Sequence, residues 1–402
     1  MKTVYLTAAA RSFGVGLTGV LLGLFLAQRG LGANALGLVV GAGLAGVTAG
    51  TAAAAFFGER LGRRRALILC AVLSAIGLAG VAIGQSVAVL AVASLLGMVN
   101  GMGRDRGAAQ TLEQSLLADA ATDAERTRAF TRYSFVQDVG GAIGSLAAAL
   151  PALLERVLPI TPTDASRWVL LGAAALTLGT GVLYLRLPPE QSAAGRSRRA
   201  WWRVPLSPLA RKRVGGLAGL FALDSVGGGF LAGSILTYWF FRRFGLGGEV
   251  LGPVFFAARA LNALSYLAAE RLAARIGLIR TMVFTHLPSS ALLCALPFLA
   301  SAPLAIALFL AREALVQMDV PTRQSYVAAV TAPGERTFAL GATGIVRNAG
   351  WAVGPPAAGV AMTTFGIGAP LVIGATLKMI YDVALFVSYR NVRPPEEREG
   401  QE

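Results

Sequence analysis

The sequence predicts an all-α membrane protein, with twelve transmembrane helices arranged as two pseudo-symmetric six-helix bundles. Three observations predict it. The 402-residue chain is 55% apolar and 14% charged, with a mean hydropathy of +0.63, whereas soluble domains carry roughly 25% charged residues. Apolar runs of about 20 residues, the length that crosses a bilayer, recur from end to end. Elements of the first half also return in the second at a nearly constant offset.

In chain order the spans are expected at about 4–27, 34–57, 66–84, 87–112, 128–150, 168–187, 214–241, 248–270, 279–300, 302–326, 337–361 and 367–389. Span 1 carries Arg11, is full length and lacks a clear cleavage site, so it reads as a span and not as a leader. Its Gly14, Gly16, Gly19 and Gly23 allow another helix to approach closely. Between spans 2 and 3 lies Ala55-Phe56-Phe57-Gly58-Glu59-Arg60-Leu61-Gly62-Arg63-Arg64-Arg65, read as a tight turn in which Gly62 permits the reversal. Between spans 6 and 7 the chain runs through Arg196, Arg198, Arg199, Trp201, Trp202, Arg203 and Arg211-Lys212-Arg213, a composition that suits the anionic inner leaflet. The expected division is a first bundle over 1–187, a basic cytoplasmic linker over 188–213, a second bundle over 214–390 and a cytoplasmic tail over 391–402.

Charge fixes the orientation. With the N-terminus inside, inner loops hold Arg60, Arg63, Arg64, Arg65, Arg126, Arg128, Arg271, Arg275, Arg280 and Arg336, whereas outer loops hold Arg29, Arg156, Arg167, Arg242 and Arg243. The net charge of +15 is thereby assigned to membrane topology and not to nucleic-acid binding. The expected location is the cytoplasmic (inner) membrane with both termini cytoplasmic, and the expected state a monomer. Cys70 and Cys294 lie in apolar runs and suggest neither a disulfide framework nor a metal site, and no cofactor is expected.

The repeat rests on several matches in order. Glu125-Arg126-Thr127 returns as Glu335-Arg336-Thr337, Gly140 and Gly144 as Gly350 and Gly354, and Glu113-Gln114-Ser115 as Arg323-Gln324-Ser325, all at an offset of 210. Glu59-Arg60-Leu61 meets Glu270-Arg271-Leu272 at 211, and Arg11-Ser12 meets Asp224-Ser225 at 213.

The turn around Gly62 resembles the signature loop of the major facilitator superfamily of secondary transporters, G-x-x-x-D/E-R-x-G-R-R/K, with Ala55 in place of the usual Gly and Glu59 in place of the commoner Asp. Six-plus-six helices joined by a basic loop is that family's architecture, with substrate near mid-membrane between the halves. The resemblance implies that Gly58, Glu59, Arg60, Gly62, Arg63 and Arg64, with Glu270, Arg271 and Arg275 in the second half, form conformational loops. It also implies that spans 1, 4, 7 and 10 line a cavity while 3, 6, 9 and 12 face lipid. Other family patterns are absent: Arg104-Asp105-Arg106-Gly107 stands where Arg-x-x-Gln-Gly is usual, and Gly-Pro occurs in span 11 but not in span 5.

Ionisable residues inside the spans are the candidate substrate and coupling groups, because each costs at least about 2.5–3.5 kcal/mol to insert. They are Arg11, Glu113, Asp138, Asp224, Arg259, Arg312, Glu313, Arg323 and Arg347, with Asp319 a further charge in span 10. Equivalent positions carry opposite signs twice, Arg11 against Asp224 and Glu113 against Arg323. Glu113 with Arg323, and Asp138 with Arg259, are expected as pairs between the halves. They either gate the pathway or serve as static pairs within each half. Asp224 is the first candidate for proton coupling and Glu113 the second, since a buried carboxylate's proton affinity follows its burial and nearby cations; permanent neutralisation of Asp224 by Arg11 is the alternative. Arg11, Arg259, Arg312 and Arg347 favour an organic anion as substrate. Lys378 and Asp382, four residues apart, read as a self-neutralising pair, and His286 as packing.

The function expected is secondary active transport of a small organic solute, by alternating access and with proton coupling. The competing reading is a non-transporting receptor or scaffold on the same fold. An enzyme is not expected, since the sequence has neither G-x-S-x-G, H-E-x-x-H, a phosphate loop nor a Cys/His cluster.

Overall fold

A computed structural model describes residues 1–120, 123–188, 208–320, 322, 323, 326 and 336–390. The linker expected over 188–213 lies mostly outside them, as does the tail over 391–402. The helices are α1 (Lys2–Gln28), α2 (Ala33–Leu61), α3 (Arg63–Ile83), α4 (Val87–Gly97), α5 (Ala108–Ala120), α6 (Asp123–Leu146), α7 (Leu150–Val157), α8 (Pro162–Tyr184), α9 (Pro208–Gly229), α10 (Gly233–Phe244), α11 (Gly248–Ile276), α12 (Leu278–Ala295), α13 (Ala302–Val316), α14 (Arg336–Phe365) and α15 (Ala369–Tyr389). They map onto the twelve expected spans. Span 4 is built from α4 and α5, span 5 from α6 and α7, and span 7 from α9 and α10.

Nine stretches among the described residues are long and apolar enough to cross a membrane. Spans 4, 10 and 11 are not among them. Span 4 is interrupted between Gly97 and Ala108, span 10 is described only in part and carries Arg312, Glu313, Asp319 and Arg323, and span 11 carries Arg347. These are departures from plain hydrocarbon-facing helix, of the kind tolerated only where protein or a wet cavity covers them.

The turn between spans 2 and 3 is shorter than expected. Gly58 to Leu61 belong to α2, Arg63 and Arg64 open α3, and the reversal falls on Gly62 alone, at φ +86° and ψ 125°. Its counterpart between α11 and α12 is Gly277, also at φ +86°. Those glycines stand 215 positions apart, so the offset of 211 that joined Glu59 to Glu270 is corrected by four residues, about one helical turn. Arg60 and Arg275 become the equivalent pair, each two residues before its glycine.

By contacts the described chain forms two compact units. One contains 1–188 with Leu231–Phe256 and Pro355–Ile367; the other contains 208–230, 257–354 and 368–390. The grouping cuts across the 1–187 and 214–390 division because α10 and the second part of α14 pack on the first bundle through glycines. A Cβ on Gly23 would lie 2.0 Å from Ser234 O, and one on Gly37 would lie 2.4 Å from Pro355 O.

Inside the first unit, α1 and α6 are joined in the same way. A Cβ on Gly144 would stand 2.0 Å from the Phe13 carbonyl oxygen, and one on Gly16 2.1 Å from that of Gly141. Small residues of this kind substitute for the hydrophobic drive that lipid does not supply. Gly144→Val is therefore expected to cost about 1–3 kcal/mol or more through overpacking, read as lower yield and melting temperature in detergent. Gly172→Ala on α8, which has open space around it, is the control and is expected to leave both unchanged.

Candidate functional site

The first cluster forms where span 4 breaks. Ser86 caps the start of α4 by accepting from Val89 N. The helix then stops at Met98, the non-glycine residue with positive φ among those described. Asn100 organises the irregular stretch, donating to Arg104 O at 2.6 Å and accepting from Met102 N at 3.0 Å. Span 7 breaks against the same place: Ser234 N and Oγ both donate to Gly101 O at 3.0 Å. Each break thus covers the other's unsatisfied backbone.

The break turns Asp105 toward α1. Arg11 Nε donates to Asp105 Oδ2 at 2.9 Å, and Arg11 Nη1 meets Glu113 Oε2 at 2.8 Å. Glu113 is fully buried and receives three more donors: Thr7 Oγ1 at 2.6 Å, Tyr184 OH at 2.5 Å and Tyr133 OH at 2.7 Å. Every lone-pair direction of this carboxyl group is thus met by a donor. Both tyrosines also accept from Arg11, at 3.2 and 3.1 Å. Their rings are anchored in apolar packing, Tyr133 beside Val4, Ala8 and Leu117, and Tyr184 beside Leu67, Ala71 and Leu112. Asp105 additionally takes Ser12 Oγ at 2.9 Å and Gln137 Nε2 at 3.0 Å.

A small cavity of about 90 Å³ opens beside this cluster, lined by Arg11, Cys70, Asn100, Asp105, Thr177 and Tyr184 among others. It lies between α1–α5 and α8, within the first bundle. Cys70 provides a probe. In a Cys294→Ser background, a small charged methanethiosulfonate is expected to label Cys70, with labelling falling severalfold in Asp105→Leu if water enters along the polar wall.

The second cluster is centred on Asp224 of α9, which is 3% exposed. Lys378 Nζ donates to its Oδ1 at 2.7 Å, Arg323 Nη1 lies 3.4 Å and Arg347 Nη2 4.0 Å from its Oδ2, and His286 Nε2 lies 3.9 Å from Oδ1. Arg323 is shared with Asp319 at 2.7 Å and lies over the Phe221 ring. Arg347 also donates to Ser225 Oγ at 3.3 Å and lies over the Trp351 ring at 5.1 Å. A separate pair, Arg312 with Glu313, is joined by Asn262, whose Nδ2 donates to Glu313 at 2.9 Å.

Two pairs therefore occupy the same two repeat positions with reversed polarity. Arg11 holds Glu113 in the first bundle, and Arg323 holds Asp224 in the second. Of the two arrangements considered for Glu113 and Arg323, each residue here has its partners within its own half. Asp138 is exposed on α6 and Arg259 half-buried on α11. In the turn region Arg63 pairs with Asp119 at 2.6 Å. Arg60, Glu270, Arg271 and Arg275 are exposed, Arg64 is half-buried, and the Glu59 side chain lies outside the described residues.

Sequence reading missed part of both clusters. Asp105 was visible as an acid between two arginines in a Gly-rich stretch, yet only the helix break brings it to Arg11. The direct partners of Lys378 and Asp382 lie on other helices: Lys378 donates to Asp224, and Asp382 meets His286. His286 is correspondingly more than packing. Spans 6, 9 and 12, expected to face lipid, supply Tyr184, His286, Lys378 and Asp382.

Comparison with known proteins agrees with this architecture. The sequence profile described as Major Facilitator Superfamily matches residues 4–318. An uncharacterized membrane protein of Saccharomyces cerevisiae is 22% identical over 98% of this chain and 94% of its own length. Among solved structures, the nucleoside transporter NupG superposes with a TM-score of 0.75 at 14% identity, covering 96% of this chain and 98% of that one. A bacterial homolog of the human lysosomal transporter Spinster gives 0.73 at 15% identity, covering 96% of each chain. A D-xylose-proton symporter gives 0.70 at 16% identity, again covering 96% of each. With the profile spanning most of its length and its described helices in the matching fold, this chain belongs to the Major Facilitator Superfamily and is a membrane transporter, not an enzyme.

Proposed function

We propose that the protein is a proton-coupled secondary transporter of a small organic solute, working by alternating access as a monomer in the cytoplasmic membrane, with both termini inside. The observation that carries this reading is the polarity-reversed pair of buried clusters. Removing such charges from water costs several kcal/mol per ion, and a bundle without transport duty has no use for them, which weighs against a receptor or scaffold. Asp224 is the coupling group. Four basic side chains lie within 4.0 Å of its carboxylate, so a rearrangement that removes any of them changes its proton affinity.

The related folds include a nucleoside transporter and a D-xylose-proton symporter, which supports a polar solute of similar size. An anion is favoured through Arg347, half-buried and stacked on Trp351. Arg11, neutralised by two carboxylates, no longer supports that preference. The test is a proteoliposome assay with trapped pyranine and a panel of carboxylates, nucleosides and pentoses. A solute that moves protons only in protein-containing vesicles is the expected result. Solute movement indifferent to an imposed pH gradient would end the coupling claim, and no movement of any panel member would favour the scaffold.

A further inference from the structure

We infer that His286 is a proton-binding site linked to Asp224 through Lys378, forming with Asp382 a buried relay that reaches from the coupling group to spans 9 and 12. The inference deepens the proton-coupled reading above and rests on it for its purpose.

The geometry is specific. His286 is 2% exposed, Lys378 7%, Asp224 3% and Asp382 0%. His286 Nδ1 stands 2.9 Å from both oxygens of Asp382, which fixes its proton on Nδ1. In neutral imidazole Nε2 is then an acceptor, and Lys378 Nζ lies 3.5 Å from it while donating to Asp224 at 2.7 Å. The lysine ammonium is thus shared between a carboxylate and a ring nitrogen.

The charge count leaves room for one more proton. Among the described groups, Asp224, Asp319 and Asp382 balance Lys378, Arg323 and Arg347 when His286 is neutral. The groups around the ring are these: from α9 Asp224; from α15 Lys378, Asp382 and Tyr381, whose ring centroid is 6.0 Å away. Arg323, Asp319 and Arg347 follow through Asp224, and Arg312 with Glu313 on α13 is engaged with Asn262. A proton delivered from water by way of Asp224 binds Nε2, no proton is lost, and the cluster gains one positive charge. The imidazolium then donates to Asp382 and faces Asp224, while Lys378 loses its acceptor on the ring and is repelled by it. Protonation at span 9 therefore changes which cation holds span 7.

The chain has one histidine, so the site can be watched directly. Protein labelled with ¹⁵N-histidine and purified without a histidine tag gives one imidazole signal set. The wild-type ring is expected to show the neutral Nδ1–H form at high pH and to gain its second proton as the pH is lowered. In Asp224→Asn the imidazolium fraction at a fixed pH within the transition is expected to fall at least about threefold, because a negative charge facing Nε2 is gone. A ring that keeps one protonation state throughout, or titrates identically in Asp224→Asn and, should that variant not fold, in Asp382→Asn, overturns the inference. A linked titration in a protein whose solute flux ignores pH gradients would instead refute the coupling role and leave the proton site standing.

Discussion

Asp224→Asn is expected to abolish solute accumulation against a gradient, by at least about tenfold, while solute exchange across equilibrated membranes persists. The neutral amide keeps the size of the side chain and removes the group whose charge responds to its partners. It also has a structural consequence that must be separated from coupling. Lys378 loses its counter-charge at 2.7 Å and is left with neutral acceptors, the amide oxygen and the longer contact to His286. Arg323, in contrast, keeps Asp319 at 2.7 Å. Breaking a buried pair from one side costs about 3–5 kcal/mol because a charge is left uncompensated, and here the uncompensated charge is the lysine. Adding Lys378→Met should therefore restore most of the melting temperature without restoring accumulation. If the single variant keeps the pH dependence of the wild type, Asp224 is not the coupling group. If the double variant recovers accumulation together with stability, the defect was structural.

What the sequence made legible and what it hid follow from the range of the interactions. Hydropathy and the repeat are written along the chain, so the twelve spans and the sign reversals of Arg11 against Asp224 and of Glu113 against Arg323 could all be read. The break in span 4 was harder to see because Met98, which carries the left-handed turn, is an ordinary helix residue by propensity. Gly101, Gly103 and Gly107 around Arg104-Asp105-Arg106 were the available signal. Lys378 and Asp382 misled for a different reason. Residues four apart on one helix do meet, but each found a better partner on a neighbouring helix, and nothing local announces a histidine on α12 or a carboxylate on α9. Tyr133 and Tyr184 were invisible as site residues because their rings sit in apolar clusters and only the hydroxyls reach Glu113.

The first cluster predicts an asymmetry between its two ends. Arg11→Met removes the cation that both Asp105 and Glu113 use. Glu113 would keep three hydroxyl donors and Asp105 would keep Ser12 and Gln137, but two buried carboxylates would face each other with the shared cation removed. Glu113→Gln does the opposite and leaves Arg11 still joined to Asp105 at 2.9 Å. The arginine variant is thus expected to lose about 3–5 kcal/mol, the cost of orphaning buried charge, and the glutamine variant about 1.5–3 kcal/mol, the scale of hydrogen bonds to a charged group. Thermal unfolding in detergent reads both. Adding Glu113→Gln to Arg11→Met should recover part of the loss, since one of the two stranded acids is then neutral. Equal destabilisation by the two single variants, or a double variant worse than Arg11→Met alone, would mean that Arg11 is held by packing and that its carboxylates are not what keeps it in the membrane.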